Sequence, residues 1–155
     1  MSNVSQAMKL TRRSLLALSV VMLFGCASES MQQSKALSLT GAEEVPPVST
    51  TGSGSGQITV AGDRSVSGSI TVAGFTPTAA HIHEAGMGKN GPVIIPLTKT
   101  SDTTFVVPPG AKLTDAQYSS YQAGNLYVNA HSAKNPGGEV RAQLSPGGSS
   151  TRSTY

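Results

Sequence analysis

The residues of this chain whose type and spacing point to chemistry are its three histidines, His81, His83 and His131. His81 and His83 are separated by one residue, in a segment that the sequence predicts to be a β-strand. Side chains two residues apart on a strand project from the same face, with Cβ atoms roughly 6 to 7 Å apart. Both imidazoles can therefore turn toward one metal ion.

His131 is the only histidine left to supply a third ligand. It lies at the end of another predicted strand, in which three apolar residues alternate with Tyr127, Asn129 and His131, so it shares the polar face. Imidazole is a good ligand for copper and for zinc. The alternative is that His81 and His83 are partly exposed strand residues bonded to neighbouring turns, with His131 unrelated. The lack of histidine elsewhere favours the metal site.

The elements that must position these histidines are short strands with period-2 alternation, separated by clusters of Gly, Pro and Asn. The predicted strands are 36–40, 56–60, 65–72, 79–84, 93–98, 103–107, 126–131 and 139–144. The second and third should form a hairpin through Gly62 and Asp63. We expect an all-β fold, a Greek-key antiparallel β-sandwich of about seven or eight strands with one short connecting helix.

The single predicted helix follows Leu113. Thr114 can cap it, Gln117 completes a capping box three residues later, and Gly124 can end it in the left-handed conformation. Its buried side chains should include Tyr118 and Tyr121.

The first 25 residues have the pattern of an export signal. Lys9, Arg12 and Arg13 form a positive region, and 15–24 form an apolar run that is too short to span a bilayer as a finished helix. The run ends at Leu23-Phe24-Gly25-Cys26, which resembles the lipobox at which bacterial lipoproteins are acylated and cleaved. An ordinary signal peptide that contains a cysteine is the alternative, and the export route, Sec or twin-arginine, stays open.

Cys26 would carry the lipid, including palmitate, and would anchor the mature chain to a membrane. Residues 26–35 then form a tether, 36–144 the folded domain and 145–155 a disordered tail. Ala27 is compatible with sorting to an outer membrane. The expected location is the cell envelope, on the outer membrane facing the periplasm or on the cell surface.

The formal charge of +3 is concentrated in the signal. Without Lys9, Arg12 and Arg13, the remaining Lys and Arg equal the eight Asp and Glu in number. A neutral mature domain gives no electrostatic reason to expect nucleic acid as a partner. Cys26 is the only cysteine, so an intramolecular disulfide is excluded.

Four ordered motifs cover nearly the whole predicted domain: AHIHEAG at 80–86, GKNGPV at 88–93, GNLYVNAHS at 124–132 and NPGGEVR at 135–141. Together they resemble the CHRD domain, first described in chordin and common in exported bacterial proteins. Ala142 stands where the family more often has glycine. By analogy with chordin, the resemblance implies a protein-binding or adhesion module outside the cytoplasm.

The order of features is also similar to copper-zinc superoxide dismutase, a Greek-key β-sandwich. That resemblance implies that His81, His83 and His131 are copper ligands and that Arg141 is an anion-guiding or structural arginine. The enzyme needs a further histidine that bridges to a zinc site, and this chain has none. This departure argues against a full dismutase.

The expected cofactor is therefore copper, as Cu(I) or Cu(II), with zinc or no metal as alternatives. Met87 is a candidate additional ligand, because a thioether suits Cu(I), although a lone loop methionine is often a packing or surface residue. Glu43 and Glu44 are expected to be solvated. No catalytic residue is assigned, and a binding protein is favoured over an enzyme.

Two functions follow from these expectations. The first is an exported, lipid-anchored protein that holds copper for storage, delivery or redox work, with the membrane and another copper protein as candidate partners. The alternative is a metal-free protein-binding or adhesion module, which predicts an apolar surface patch. The oligomeric state stays open.

Overall fold

The computed structural model describes residues 35–146, which form an antiparallel β domain with one α-helix. The predicted signal peptide and almost all of the predicted tether and tail lie outside these residues. A 3₁₀ turn, Gly41–Glu43, follows the first strand, and helix α1 spans Asp115–Gln122. The strands are β1 (Ala36–Thr40), β2 (Ser53–Val60), β3 (Val66–Ala73), β4 (Pro77–Glu84), β5 (Val93–Pro96), β6 (Thr98–Lys99), β7 (Thr104–Val106), β8 (Leu126–Ser132) and β9 (Val140–Leu144). Within 35–146, no helix has the length and apolar character needed to cross a bilayer.

Hydrogen bonds join the nine strands into one sheet with the order β5-β4-β8-β9-β1-β2-β3-β7-β6. The two edge strands, β5 and β6, are separated in sequence by Leu97 alone. Leu97 donates its backbone N–H to the Ala80 carbonyl at 3.0 Å, and the chain then pairs with β7. One stretch of chain thus forms both edges, and the sheet nearly closes on itself.

The all-β prediction is confirmed, and all eight predicted segments contain strands. The strand count was wrong, because the predicted strand 93–98 is two strands, β5 and β6. Pro96 has no backbone N–H to extend the ladder, and the pairing partner changes after it. Two separate sheets are not seen, because β1 pairs with β2 over five residues and also with β9 at Thr40 and Arg141.

The hairpin of β2 and β3 illustrates how alternation builds the core. Val60 pairs with Val66 across the predicted turn at 62–63, and both side chains are buried. Ile70 and Val72 stand opposite glycines and are also buried in the same apolar cluster. The predicted hairpin is therefore confirmed, with its apolar side facing the core.

Helix α1 begins and ends where the sequence predicts. The Thr114 side chain accepts from the Gln117 N–H, and the Gln117 side chain accepts from the Thr114 N–H, which completes the capping box. Gly124, with φ of 75°, follows the helix in the left-handed conformation. Leu113 and Tyr121 are buried in the core, whereas Tyr118, also expected to be buried, is half-buried against it.

Strand β8 lies between β4 and β9, and all seven of its residues are buried. Leu126, Val128 and Ala130 belong to the apolar core. The side chains between them are polar, as predicted, yet they are covered as well. The outer face of β8 therefore forms a second, polar interior.

Candidate metal centre

The register of β4 and β8 brings the three histidines to the same face of the sheet. His131 pairs with Ala79, so it lies diagonally next to His81. His83 lies two residues further along β4 on the same face. Sequence alternation predicted this common face, and the strand pairing supplies the proximity that sequence alone could not give.

The imidazoles lie near enough to share one ion after small side-chain rotations. One ligand nitrogen from each of His81, His83 and His131 lies within 4.8 Å of the others. His81 Nδ1 is 3.0 Å from His131 Nε2. Two nitrogens that each bind an ion at about 2 Å can be no more than about 4 Å apart. Side-chain rotations that shorten the longer separation by about 1 Å would complete the geometry.

Backbone carbonyls fix the orientation of two of the rings. His83 Nδ1 donates to the Gly91 carbonyl at 3.0 Å, and His131 Nδ1 donates to the Pro136 carbonyl at 2.9 Å. With the proton on Nδ1, each ring carries a lone pair on Nε2, the atom that would bind an ion. The lone pair of His131 accepts a hydrogen bond from His81 Nδ1, which an ion would have to displace. His83 Nε2 is buried and has no hydrogen-bond partner among the described residues. A buried nitrogen with an unused lone pair is typical of a position that a metal ion or a hydrogen-bond donor would fill.

All three imidazoles are held in the neutral form that binds metals. Burial lowers the pKa of His81 below its usual value, and the neighbouring His131 and His83 lower it further. Burial also lowers the pKa of His83 and of His131, although their backbone carbonyl partners oppose the effect. The three rings therefore stay neutral at pH 7.

Two loops hold these backbone carbonyls in place. Gly91 packs so closely on the Glu84 carbonyl that a Cβ at this position would collide with it. The turn after β8 is held by Glu139, whose carboxylate accepts from Ser132, Asn135 and Thr50. Burial acts to raise the Glu139 pKa, but these hydrogen bonds outweigh it and lower the pKa. Sequence reasoning missed this role of Glu139.

Residues 36–144 match the sequence profile of the CHRD domain. The chain belongs to the CHRD domain family. No curated protein matches the chain, and no solved structure matches it. The resemblance to copper-zinc superoxide dismutase therefore stays an expectation from sequence.

The polar face of this CHRD domain continues from the histidines to β9 through Tyr127. The Tyr127 ring stacks on His83, with centroids 4.7 Å apart and planes 6° from parallel. The guanidinium carbon of Arg141 lies 3.4 Å from the centroid of the same tyrosine ring. His83 pairs with Tyr127, and Asn129 pairs with Arg141, so cross-strand register fixes the stack.

Arg141 is 1% exposed, and its nitrogens donate to Gln143 Oε1 at 3.2 Å and to Asn90 Oδ1 at 3.4 Å. The anion-guiding role stays a prediction, because these contacts describe a buried side chain and not its encounter with a ligand. Met87 is 81% exposed and lines a cavity of about 400 Å³ together with Arg141 and Glu44. Its role as a ligand is likewise still a prediction.

Glu44 contradicts the expectation that both glutamates near Pro46 are solvated. Glu43 is exposed, but Glu44 is 4% exposed, and its Oε1 has no hydrogen-bond partner within the described domain. Burial raises its pKa to about 7, against the opposing effects of Arg141 and Asn129. The segment after β1 folds over the polar face, which local sequence does not reveal. The buried carboxyl of Glu44 therefore lies near the buried guanidinium of Arg141.

Proposed function

We propose that this chain is an exported, lipid-anchored CHRD-domain protein that binds one copper ion through His81, His83 and His131, for storage, delivery or redox work. The observation that supports it is the convergence of three neutral imidazoles, with ligand nitrogens within 4.8 Å of one another. Two of the rings donate from Nδ1 to backbone carbonyls, so the lone pair that an ion would take lies on Nε2 of each; the His131 Nε2 accepts from His81 Nδ1, and an ion would displace this hydrogen bond.

Copper fits this set of ligands better than zinc does. The ligand group contains imidazoles and no carboxylate or thiolate. Nitrogen ligands bind Cu²⁺ more tightly than Zn²⁺, and imidazole also suits Cu(I). Neutral ligands in a largely buried site leave the charge of the ion uncompensated, and that cost is smallest for a monovalent ion. Zinc is the alternative that a metal titration must compare.

The lipid anchor and the export rest on the pattern of the first 26 residues. Labelling cells with palmitate tests them directly. We expect incorporation into the wild-type protein and none into Cys26→Ser. Labelling of the Cys26→Ser variant, or no labelling of the wild type, would remove the anchor from the proposal without touching the metal site.

The metal-free binding module has less support. It predicts an apolar surface patch, and over residues 35–146 the exposed large hydrophobic side chains are Met87 and Val93. Two such residues do not make a patch of a few hundred Å².

The test is a copper titration of the full chain carrying Cys26→Ser, so that its only thiol cannot bind Cu(I). We expect one equivalent of copper to bind, and we expect His81→Ala with His83→Ala to weaken the binding by about 100-fold or more, since even outer contacts of a ligand contribute 10- to 100-fold. Met87→Leu reports on the fourth ligand, with Met31→Leu as the matched methionine control. Unchanged stoichiometry and affinity in the double histidine variant would refute the site.

A further inference from the structure

The polar interior beside the histidines contains a buried positive charge. Arg141 donates to two neutral amide oxygens, those of Gln143 and Asn90. No carboxylate of the described residues lies within ion-pair distance of it. Burying a guanidinium without an ion-pair partner costs folding free energy. This cost suggests that the charge of Arg141 has a function of its own.

The stack of Arg141, Tyr127 and His83 fixes how far this charge lies from the metal ligands. The distances from Arg141 Cζ and from the His83 ring to the Tyr127 ring centre are 3.4 and 4.7 Å. Arg141 therefore lies no farther than about 8 Å from the His83 ring, a range over which buried charges interact strongly. Tyr127 is itself buried, so water does not screen the pair.

A fixed positive charge at this range acts unequally on ions of different charge. Cu(II) carries one more positive charge than Cu(I), and the three imidazoles add none to offset it. We propose that Arg141, positioned over Tyr127, biases the three-histidine site toward Cu(I) and against divalent ions. This inference rests on the proposed function, but it concerns the choice of ion and not whether an ion binds.

The carboxyl groups near Arg141 determine the pH at which its effect on the metal site is best measured. Besides the stacked Tyr127, the groups whose charges act on Arg141 are the carboxyls of Glu44 and Glu43. Glu43 is exposed to solvent, which screens it. Burial raises the pKa of Glu44 to about 7, so its carboxyl is mostly neutral at pH 6. At pH 6 the charge of Arg141 is therefore less opposed than at pH 8.

The experiment compares affinities for the two oxidation states at pH 6, in the full chain carrying Cys26→Ser. Cu(I) binding is measured by competition with bicinchoninate and Cu(II) binding by competition with nitrilotriacetate. In Arg141→Leu we expect the Cu(I)-over-Cu(II) preference to fall by about tenfold or more. For a one-electron couple, tenfold corresponds to a potential about 59 mV lower.

Matched variants separate charge from structure. Arg141→Lys keeps the charge and should keep most of the preference, and Arg64→Leu, which removes an arginine paired with Asp115, should leave it unchanged. Arg141→Gln is also neutral and can still donate to Gln143, so it carries the same expectation if Arg141→Leu fails to fold.

The outcomes distinguish this inference from the proposed function. A parent chain that binds no copper refutes the metal site itself. A parent that binds copper, with neutral Arg141 variants that weaken Cu(I) and Cu(II) equally, leaves the site intact and overturns the bias.

Discussion

At the scale of single residues, two histidines of the candidate centre already use their second ring nitrogen in a hydrogen bond to the backbone. His83 and His131 each donate from Nδ1 to a backbone carbonyl, and burial keeps both rings neutral. These two contacts hold the rings in the tautomer that a metal ion needs, which is a usual reason that such outer contacts raise affinity.

Glu44 gives a prediction for stability as a function of pH. Its folded-state pKa of about 7 lies above the ordinary glutamate value of 4.5, so the folded protein holds this proton more tightly than the unfolded chain does. The stability that the protonated carboxyl provides is complete below about pH 4.5 and is lost as the pH rises through 7. Glu44→Gln, which cannot ionise, should gain about 2 to 3 kcal/mol over the wild type between pH 5 and pH 8.

Urea unfolding at the two pH values measures this difference, and the histidine contributions cancel because both proteins contain them. Glu43→Gln is the matched control, since Glu43 is exposed and should show little change. A Glu44→Gln difference that is the same at pH 5 and pH 8 would contradict the burial of an ionisable carboxyl here.

The candidate ligand residues could be named at this scale, and their surroundings could not. Strand alternation alone places His81 and His83 on one face. The burial of Glu44 was predicted wrongly, because it depends on where the segment after β1 folds back. The stack of Tyr127 on His83 depends on cross-strand register, which the sequence does not state.

At the scale of elements, the turn between β8 and β9 positions His131. Gly138 donates its N–H to the Asn135 carbonyl, and the Pro136 carbonyl accepts from His131. Gly138 has φ of 145°, and a Cβ there would collide with the carboxyl of Glu44. The turn, the polar face and the third candidate ligand are therefore in contact with one another.

We expect Gly138→Ala to destabilise the domain by about 1 to 3 kcal/mol, because its positive φ strains a residue with a Cβ and the buried Glu44 carboxyl must move away from that Cβ. Metal affinity should fall by about tenfold as the Pro136 carbonyl shifts. Gly137→Ala is the matched control, since a Cβ there meets nothing within 4 Å, and it should stay within about 0.5 kcal/mol of the wild type. Equal effects of the two substitutions, measured by urea unfolding and copper competition, would argue against this coupling.

Most elements could be predicted because their signals are local. The capping box of Thr114 and Gln117 and the turn at 62–63 each need only a few adjacent residues. The division of 93–98 into two strands is not local, since it reflects a change of partner from β4 to β7 after Pro96.

At the scale of the whole molecule, the fold has an apolar interior and a polar one on opposite faces of β8. Alternation predicts that β8 has two faces, but only the order of strands shows that both are covered. The predicted pair of sheets was replaced by one sheet, because 93–99 supplies both edges and β1 joins the two halves. Pairing between strands that are far apart in the chain cannot be predicted from a single sequence.

X-ray absorption at the copper edge of the full Cys26→Ser chain, loaded with one equivalent of Cu(I), tests the central claim most directly. We expect a shell of three imidazole nitrogens at about 2 Å, reduced when His81 or His131 is replaced by alanine. A copper environment without imidazole scattering, or one that is unchanged by loss of these histidines, would contradict it.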